Sequence, residues 1–244
     1  MTNMVIIGDS FASWGSELSL FKDWKGPPDI IYSTLPGNSP AWTQLVADHY
    51  NSDLKLFGYV GKSWWFSYSQ FEKWKHCFPI IWENTDVVIM IHTWHLRFNS
   101  SEVPVPGNIH DPASDNITDA LKQYQVYLQD EDFDEWAQDQ FFKSLPVVFN
   151  NKKLINMPVM PITAERKNYT EIAAGTTICD SLYNISLEEY KNNAKKFDLV
   201  DIRMCHLSPQ NHVVLANELI NIVDNYNPGP VSFRPNMFHK AFIQ

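Results

Sequence analysis

The amino-acid sequence predicts an α/β protein with a parallel sheet. Residues 4–7 and 86–91 are continuous apolar runs rich in β-branched residues, which is typical of strands buried on both faces. Segments with helical spacing of apolar residues lie between these two runs and other, weaker apolar runs. Strands that alternate with helices in this way build βαβ units with parallel strands. The length of 244 residues suits one large domain, which we place at 1–224, followed by a C-terminal arm at 225–244.

The remaining strands and the first helix have weaker signals. Shorter apolar runs predict strands at 54–57, at 153–157 and, as the last strand, at 199–202. The first helix is expected over 41–50, where apolar residues recur at intervals of three and four. It follows Ser39-Pro40, a pair typical of a helix start.

Three later helices complete the pattern. They are expected over 116–128, 133–142 and 209–223. The last has the clearest signal, because Ser208-Pro209 is typical of a start and six apolar residues then form one stripe. The stripe comprises Val213, Val214, Ala216, Leu219, Ile220 and Val223.

Two proline-containing stretches are expected to be irregular. Residues 99–115 are predicted to form a loop beside the carboxyl edge of the sheet. The arm at 225–244 contains Phe233, Phe238 and Phe242. Its aromatic residues indicate that it packs on a surface, either on this chain's own body or on a neighbour.

Composition excludes several classes of partner. The formal net charge is -9 and the pI is about 5.3, so phosphate backbones and anionic lipids are repelled. Neither nucleic acid nor a membrane surface is therefore an expected partner. No apolar run approaches the length that spans a bilayer, and the first residues lack the pattern of a signal peptide. Three scattered cysteines argue against a zinc ribbon and a disulfide framework, so we expect a cytoplasmic protein.

Groups able to carry chemistry follow the predicted strands, at the edge where sites form in open parallel sheets. A serine hydroxyl there needs a base such as histidine to take its proton, and N–H donors for the oxyanion that develops on the attacked carbonyl. The strand ends supply Gly8-Asp9-Ser10, then Gly58 and Gly61, then His92, Thr93 and His95, and finally Asp201 and His206. No third ligand with suitable spacing accompanies the two histidines after the third strand, so no metal site is expected.

Three segments resemble sequence blocks of one enzyme family. Residues 4–11 (MVIIGDSF) resemble the first block of the SGNH, or GDSL, hydrolases, 56–61 (LFGYVG) the second and 206–212 (HLSPQNH) the last. The blocks occur in the family's order, each next to a predicted strand end. The resemblance implies a flavodoxin-like three-layer α/β/α sandwich with a five-stranded, mostly parallel sheet. It also implies hydrolysis of esters or thioesters without a cofactor.

The same resemblance implies roles for single residues. Ser10 is the expected nucleophile, and His206 is the expected general base. The backbone N–H groups of Ser10 and Gly61 are expected to form part of the oxyanion hole. Candidate substrate contacts nearby are Asp9, Thr93, Trp94 and Arg97.

Two positions depart from the family pattern. The third block normally ends in Gly-x-Asn-Asp, whose asparagine completes the oxyanion hole, and His95 stands there instead. A neutral imidazole N–H or the Thr93 hydroxyl could replace that amide. The last block normally has an aspartate three residues before the histidine, where this chain has Arg203. Asp201 could orient the imidazole of His206 if the loop bulges; otherwise a backbone carbonyl does so and leaves a Ser–His dyad.

The sequence therefore predicts a serine esterase acting on a small acyl ester, with an O-acetyl group on a carbohydrate as the preferred substrate class. The altered third block and the basic residue near the last histidine are similar to those of SGNH-like proteins from bacteriophages. These departures leave a rival open, a catalytically impaired SGNH-like protein that binds a ligand or belongs to a virion. In that case the C-terminal arm is a candidate contact for a virion partner or a second copy of the chain.

Overall fold

The described part of the protein, seen in a computed structural model, contains one parallel sheet. The structure describes residues 2–9, 11–12, 41–58, 64–92, 123, 130–159, 175–182, 185, 207 and 209–238. Six strands lie within them: β1 (Asn3–Gly8), β2 (Leu54–Gly58), β3 (Thr85–His92), β4 (Lys153–Pro158), β5 (Thr176–Ile178) and β6 (Gly229–Val231). Their order across the sheet is β2-β1-β3-β4-β5-β6, and every neighbouring pair is parallel. The predicted α/β class with a parallel sheet is confirmed.

Helices lie on both faces of the sheet. Those in the described part of the chain are α1 (Trp42–His49), α2 (Trp64–Cys77), α3 (Pro79–Glu83), α4 (Glu131–Val148) and α5 (Pro209–Asp224), and a 3₁₀ turn spans Pro235–Met237. Residues of α1 and α5 form a buried cluster with Met4 and Ile6 of β1, whereas residues of α2 and α4 cluster with Val5 and Ile7. Successive strand residues point to opposite faces, so the two clusters cover opposite sides of the sheet. Over the described residues, no helix combines the length and the apolar character needed to cross a membrane.

Continuous apolar runs predicted the four longer strands correctly. β1, β2, β3 and β4 contain the predicted runs at 4–7, 54–57, 86–91 and 153–157. β1, β3 and β4 are buried over almost their whole length, because apolar side chains cover them from both faces. The strand expected at 199–202 lies outside the described residues.

The described sheet has six strands, and the expectation of five was wrong. β5 and β6 have three residues each, and Pro230 lies within β6, so neither produces a continuous apolar run. β6 is an edge strand, where a proline removes no hydrogen bond from the centre of the sheet. Gly175 precedes β5 with a φ of +79°, and a Cβ at that position would overlap the Leu154 carbonyl oxygen. Glycine is therefore required where the chain enters β5.

The described part of the segment expected to be an arm, 225–238, packs on this chain's own body. After β6, Phe233 and Phe238 are buried in the same cluster as residues of α5. The Phe233 N–H donates to Asp180 Oδ2 at 2.7 Å. The guanidinium of Arg234 donates to the buried carboxylate of Glu218 in α5. Phe242 lies outside the described residues.

The predicted helices over 41–50, 133–142 and 209–223 are confirmed as α1, α4 and α5, with shifted ends. α1 begins after Ala41, whose side chain makes no capping hydrogen bond, so the predicted start at Ser39-Pro40 was wrong. The helix is held by burial of its first residues against the core instead of by a side-chain cap.

The stripe of α5 differs from the predicted one at two positions. Val213 is exposed, whereas Leu215 is completely buried and takes its place. α2 and α3 had no sequence prediction. The helix expected over 116–128, apart from Gln123, and the loop expected over 99–115 lie outside the described residues.

Candidate active site at the carboxyl edge of the sheet

The carboxyl ends of β1 and β3 flank the point at which the strand order reverses. The strand that follows β1 in the chain lies on one side of this point, and the strand that follows β3 lies on the other. Ligands of open α/β sheets bind in the crevice outside the strands at such a point. Gly8 is the last residue of β1, and His92 is the last residue of β3. Ser10 and residues 93–97 therefore come in the chain directly after the two strand ends that flank this crevice.

Most of the predicted site residues lie outside the described residues. They are Ser10, Gly61, Thr93, Trp94, His95, Arg97, Asp201 and His206. The structure does describe Asp9 and Phe11 on either side of Ser10, and Leu207 next to His206. These neighbours define where the segments that contain Ser10 and His206 attach to the fold.

A tight turn follows β1. The Asp9 side chain is completely buried, and its Oδ1 accepts the N–H of Phe11 at 3.0 Å. The Asp9 carbonyl accepts the N–H of Ala12, also at 3.0 Å. The Asp9 side chain therefore supports the chain that follows β1, and its predicted contact with a substrate stays a prediction.

Trp42, the first residue of α1, connects this turn with the start of α5. Its side chain is completely buried, and the indole N–H donates to the Phe11 carbonyl at 2.8 Å. Its backbone N–H donates to Nδ1 of His212 at 3.2 Å, so this ring nitrogen carries no proton. One residue therefore joins the chain just after Ser10 to the first turn of α5.

α1 and α5 lie side by side and run in the same direction. Trp42 bonds to His212. About two helical turns later on both helices, the Tyr50 hydroxyl donates to Oδ1 of Asp224 at 2.8 Å and lies 3.1 Å from the Ile220 carbonyl oxygen. Equal spacing of these contacts requires parallel helices. The amino-terminal ends of both helices consequently lie together.

The residue after His206 is anchored in the core. Leu207 is buried and belongs to the same apolar cluster as Phe11, the residue after Ser10. Trp42 is a member of that cluster as well. The segments that contain Ser10 and His206 therefore attach to the same apolar cluster, on the face covered by α1 and α5.

His92, the last residue of β3, and Asn156, two residues before the end of β4, form a buried polar pair on the opposite face. Nε2 of His92 lies 2.9 Å from Oδ1 of Asn156, and the ring meets Phe142 edge-on with centroids 4.6 Å apart. An amide oxygen accepts hydrogen bonds, so this contact places a proton on Nε2. Sequence analysis missed Asn156; its signal was a polar residue between apolar ones in the strand predicted at 153–157. No three His, Cys, Asp or Glu side chains among the described residues are grouped closely enough to hold a metal ion.

A small cavity lies beside this pair, on the face covered by α2 and α4. Its volume is about 10 Å³, close to the space that one water molecule needs. The ends of β1 and β3 contribute to its lining together with side chains of α2 and α4. Among the lining residues are Gly8, Trp64, Ser67, Tyr68, His92 and Phe141.

Gly8 allows close contact between the strands at this point. A Cβ on Gly8 would lie 2.8 Å from Cβ of Ile91, so the neighbouring strand leaves no room for a side chain. The buried hydroxyl of Ser67 donates to the Gly8 carbonyl. This bond ties α2 to the end of β1, two residues before Ser10.

Tyr68 lines the cavity with its aromatic ring and does not supply an acidic group. Its hydroxyl donates to Oε1 of Glu72 at 2.7 Å. Burial, this hydrogen bond and the charge of Glu72 all raise the pKa of Tyr68, so the phenol stays protonated at neutral pH. The ring of Phe141 lies with its centroid 4.7 Å from that of Tyr68 and 4.6 Å from that of Trp64. These three rings form an aromatic wall.

Comparisons with known proteins supply no relative from which a function could be transferred. No protein-family model, curated protein or solved structure matched this chain. The resemblance to the SGNH hydrolases therefore rests on the three sequence blocks, and a function has to be inferred from the residues and contacts of this chain.

Proposed function

We propose that this chain is an SGNH-type serine hydrolase that cleaves small acyl esters, with Ser10 as nucleophile and His206 as general base. The observation that supports this most strongly is the pair of hydrogen bonds made by Trp42. They connect Phe11, the residue after Ser10, to the first turn of α5, which begins shortly after His206. Two segments that are far apart in the sequence are thereby held together.

The strand order supports the proposal. The order β2-β1-β3-β4-β5 is that of flavodoxin-like doubly wound sheets, and β6 extends its edge. Helix residues pack on both faces of the sheet, as a three-layer sandwich requires. The three-layer SGNH-type fold is accordingly part of the proposal.

The proposed reaction uses side chains and backbone groups of the chain itself. His206 takes the proton of Ser10 while Oγ attacks the ester carbonyl. The backbone N–H groups of Ser10 and Gly61, with His95 or Thr93, donate to the oxyanion. The tetrahedral intermediate expels the alcohol, which receives the proton held by His206. Water then attacks the acyl-enzyme with the same base, releasing the acid and restoring Ser10.

Two groups compete for the role of orienting His206. Asp201 accepts the second ring N–H in a triad, and a backbone carbonyl does so in a dyad. Replacing the aspartate of a triad by asparagine lowers kcat by about 10⁴-fold. Turnover by Asp201→Asn distinguishes the two cases: a loss of that order supports the triad, and a near-normal rate supports the dyad.

An aromatic surface beside the cavity supports a carbohydrate as the alcohol half of the ester. Trp65 is 46% exposed, and its ring stacks on that of Trp64 with centroids 4.3 Å apart. Trp64 lines the cavity, so the ring of Trp65 is separated from the cavity by the ring of Trp64 alone. A flat aromatic face there offers a large contact area to a sugar ring. We therefore include an O-acetylated carbohydrate in the proposal.

Hydrolysis of p-nitrophenyl acetate by the wild type and by Ser10→Ala tests the proposed function. We expect Ser10→Ala to lose at least about 10³-fold in kcat/KM, because the remaining site has no nucleophile. Ser69→Ala is a matched control, since the Ser69 hydroxyl donates to the Phe66 carbonyl of its own helix, and it should retain the wild-type rate. Equal rates for the wild type and Ser10→Ala would contradict the proposal and favour the binding or virion-associated rival.

A further inference from the structure

We propose that the exposed apolar turn formed by Phe78 and α3 is the surface through which two copies of this chain associate. The copies meet about a two-fold axis, so the same turn is used on both sides of the contact. This inference does not depend on the proposed reaction. It rests on the exposure of the turn, on the bonds that hold the turn and on the charges around it.

Phe78 and α3 present large apolar side chains to solvent. Ile80 is 72% exposed, Phe78 is 50% exposed and Ile81 is 38% exposed, and no residue of α3 is buried. Single apolar residues are common on protein surfaces, whereas a group of large ones within four residues forms a patch. Patches of this kind mark surfaces that bind a partner.

Hydrogen bonds from side chains hold the turn in place. The last four carbonyls of a helix have no partner within it, and in α3 each of them accepts a side-chain donor. Nδ2 of Asn84 donates to the Ile80 carbonyl at 2.9 Å, and the Thr85 hydroxyl donates to the Ile81 carbonyl at 3.1 Å. The two exposed isoleucines are therefore fixed through their own backbone.

Lys152 and the core hold the end of α3. Nζ of Lys152 donates to the carbonyls of Trp82 at 3.2 Å and Glu83 at 2.9 Å. The Trp82 ring lies with its centroid 5.9 Å from that of the buried Phe149. A surface that is held in place before binding loses little conformational entropy on association. The apolar turn is consequently suited to docking.

The charges around the turn are balanced, although the chain as a whole is acidic. Residues 72–86 together with Lys152 carry three carboxylates and three ammonium groups, against a net charge of -9 for the chain. The carboxylates are Glu72, Glu83 and Asp86, and the ammonium groups are those of Lys73, Lys75 and Lys152. Two copies of an acidic protein repel each other least where the local charge is balanced. A second copy of this chain therefore fits the turn.

A second group of exposed aromatic side chains does not suit such a contact. Phe133 is 58% exposed and Trp136 is 56% exposed, at the start of α4. Asp130, Asp132 and Asp134 lie next to them in the chain, so two copies facing each other there would bring like charges together. Self-association consequently favours the turn at α3.

Sedimentation velocity of the full chain tests the proposal. At about 100 μM a dimer with a Kd of about 10 μM is mostly formed, so we expect a species of twice the 28.3 kDa of one chain. Ile80→Asp places a carboxylate from each copy in the contact and should weaken association at least about 100-fold, leaving monomers. Phe78→Asp is a second variant on the same surface and should have the same effect.

Val213→Asp is the matched control. Val213 is 49% exposed on α5, which covers the opposite face of the sheet, so this variant should remain dimeric. A monomeric wild type at the stated concentration would overturn the proposal. A dimer that persists in both Ile80→Asp and Phe78→Asp, or one that is lost equally in Val213→Asp, would overturn it as well.

Phosphatidylglycerol vesicles test a lipid surface as the other occupant of the turn. A monomeric chain that co-sediments with these vesicles, and stops doing so in Ile80→Asp, would overturn the dimer and assign the turn to lipid. We expect no co-sedimentation, because anionic lipid repels the acidic surface around the turn. None of these results depends on Ser10, so they leave the proposed ester hydrolysis to its own test.

Discussion

Trp42 holds together two parts of the chain that are far apart in the sequence. Its backbone N–H bonds to His212, 170 residues further along, while its indole bonds to Phe11 next to Ser10. A displacement of about 1 Å between reacting groups can cost about 10²-fold in rate. We therefore assign Trp42 the role of a positioning residue for the proposed reaction.

Trp42→Phe removes the indole N–H and keeps an aromatic ring. The buried Phe11 carbonyl then lacks this donor, and we expect the free energy of unfolding to fall by about 1–3 kcal/mol. Because the chain next to Ser10 loses a support at Phe11, kcat should fall at least about tenfold with a smaller change in KM. Urea unfolding and steady-state kinetics measure the two effects.

Trp74→Phe controls for the loss of indole volume. Trp74 is half-buried on the opposite face, with its ring centroid 5.5 Å from that of Phe57. This variant should lose packing and keep kcat. If Trp74→Phe and Trp42→Phe have the same kcat, Trp42 has no positioning role.

The residues of the site differ in how well the sequence predicts them. Ser10 and His206 are predicted because each lies in a contiguous block that resembles a family block. Ser67, Asn156 and Phe141 have no comparable block. Ser67 and Phe141 line the cavity, and Asn156 contacts His92 in that lining, only when α2, β4 and α4 pack together. Contacts of this kind depend on tertiary structure, and no local pattern predicts them.

The length of an element decides whether the sequence predicts it. β1 and β3 have six and eight residues, which is enough for a continuous apolar run. β5 and β6 have three residues each and exist through pairing with their neighbours in the sheet. α2 begins with three adjacent aromatic residues, Trp64, Trp65 and Phe66, so its start shows no helical spacing of apolar positions.

Two substitutions at β5 have opposite expected effects. Gly175→Ala forces a side chain into a positive φ and against the Leu154 carbonyl, so the free energy of unfolding should fall by about 2 kcal/mol. Oγ1 of Thr177 is buried and has no hydrogen-bond partner within the part of the chain that the structure describes. Thr177→Val should therefore leave stability unchanged or raise it by about 1 kcal/mol. Urea unfolding followed by tryptophan fluorescence measures both, and equal destabilisation by the two changes would contradict the placement of β5 beside β4.

The whole fold brings the beginning and the end of the chain together. β1 lies inside the sheet between β2 and β3, and α5, near the end of the chain, packs against α1. The order of apolar runs and helical patterns predicted the central strands and the class of fold. The packing of α5 on α1 and the return of the last segment into the sheet as β6 were beyond prediction, because they depend on contacts between distant residues.

Reaction with a methyl-substituted fluorophosphonate tests most directly whether Ser10 and His206 form one reactive pair. Such reagents phosphonylate a serine that a neighbouring base has activated, with loss of fluoride. We predict one adduct per chain, located by mass spectrometry on the peptide that contains Ser10, and its absence in His206→Gln. An adduct on a different serine, no adduct at all, or labelling of Ser10 that persists unchanged in His206→Gln would contradict the pairing.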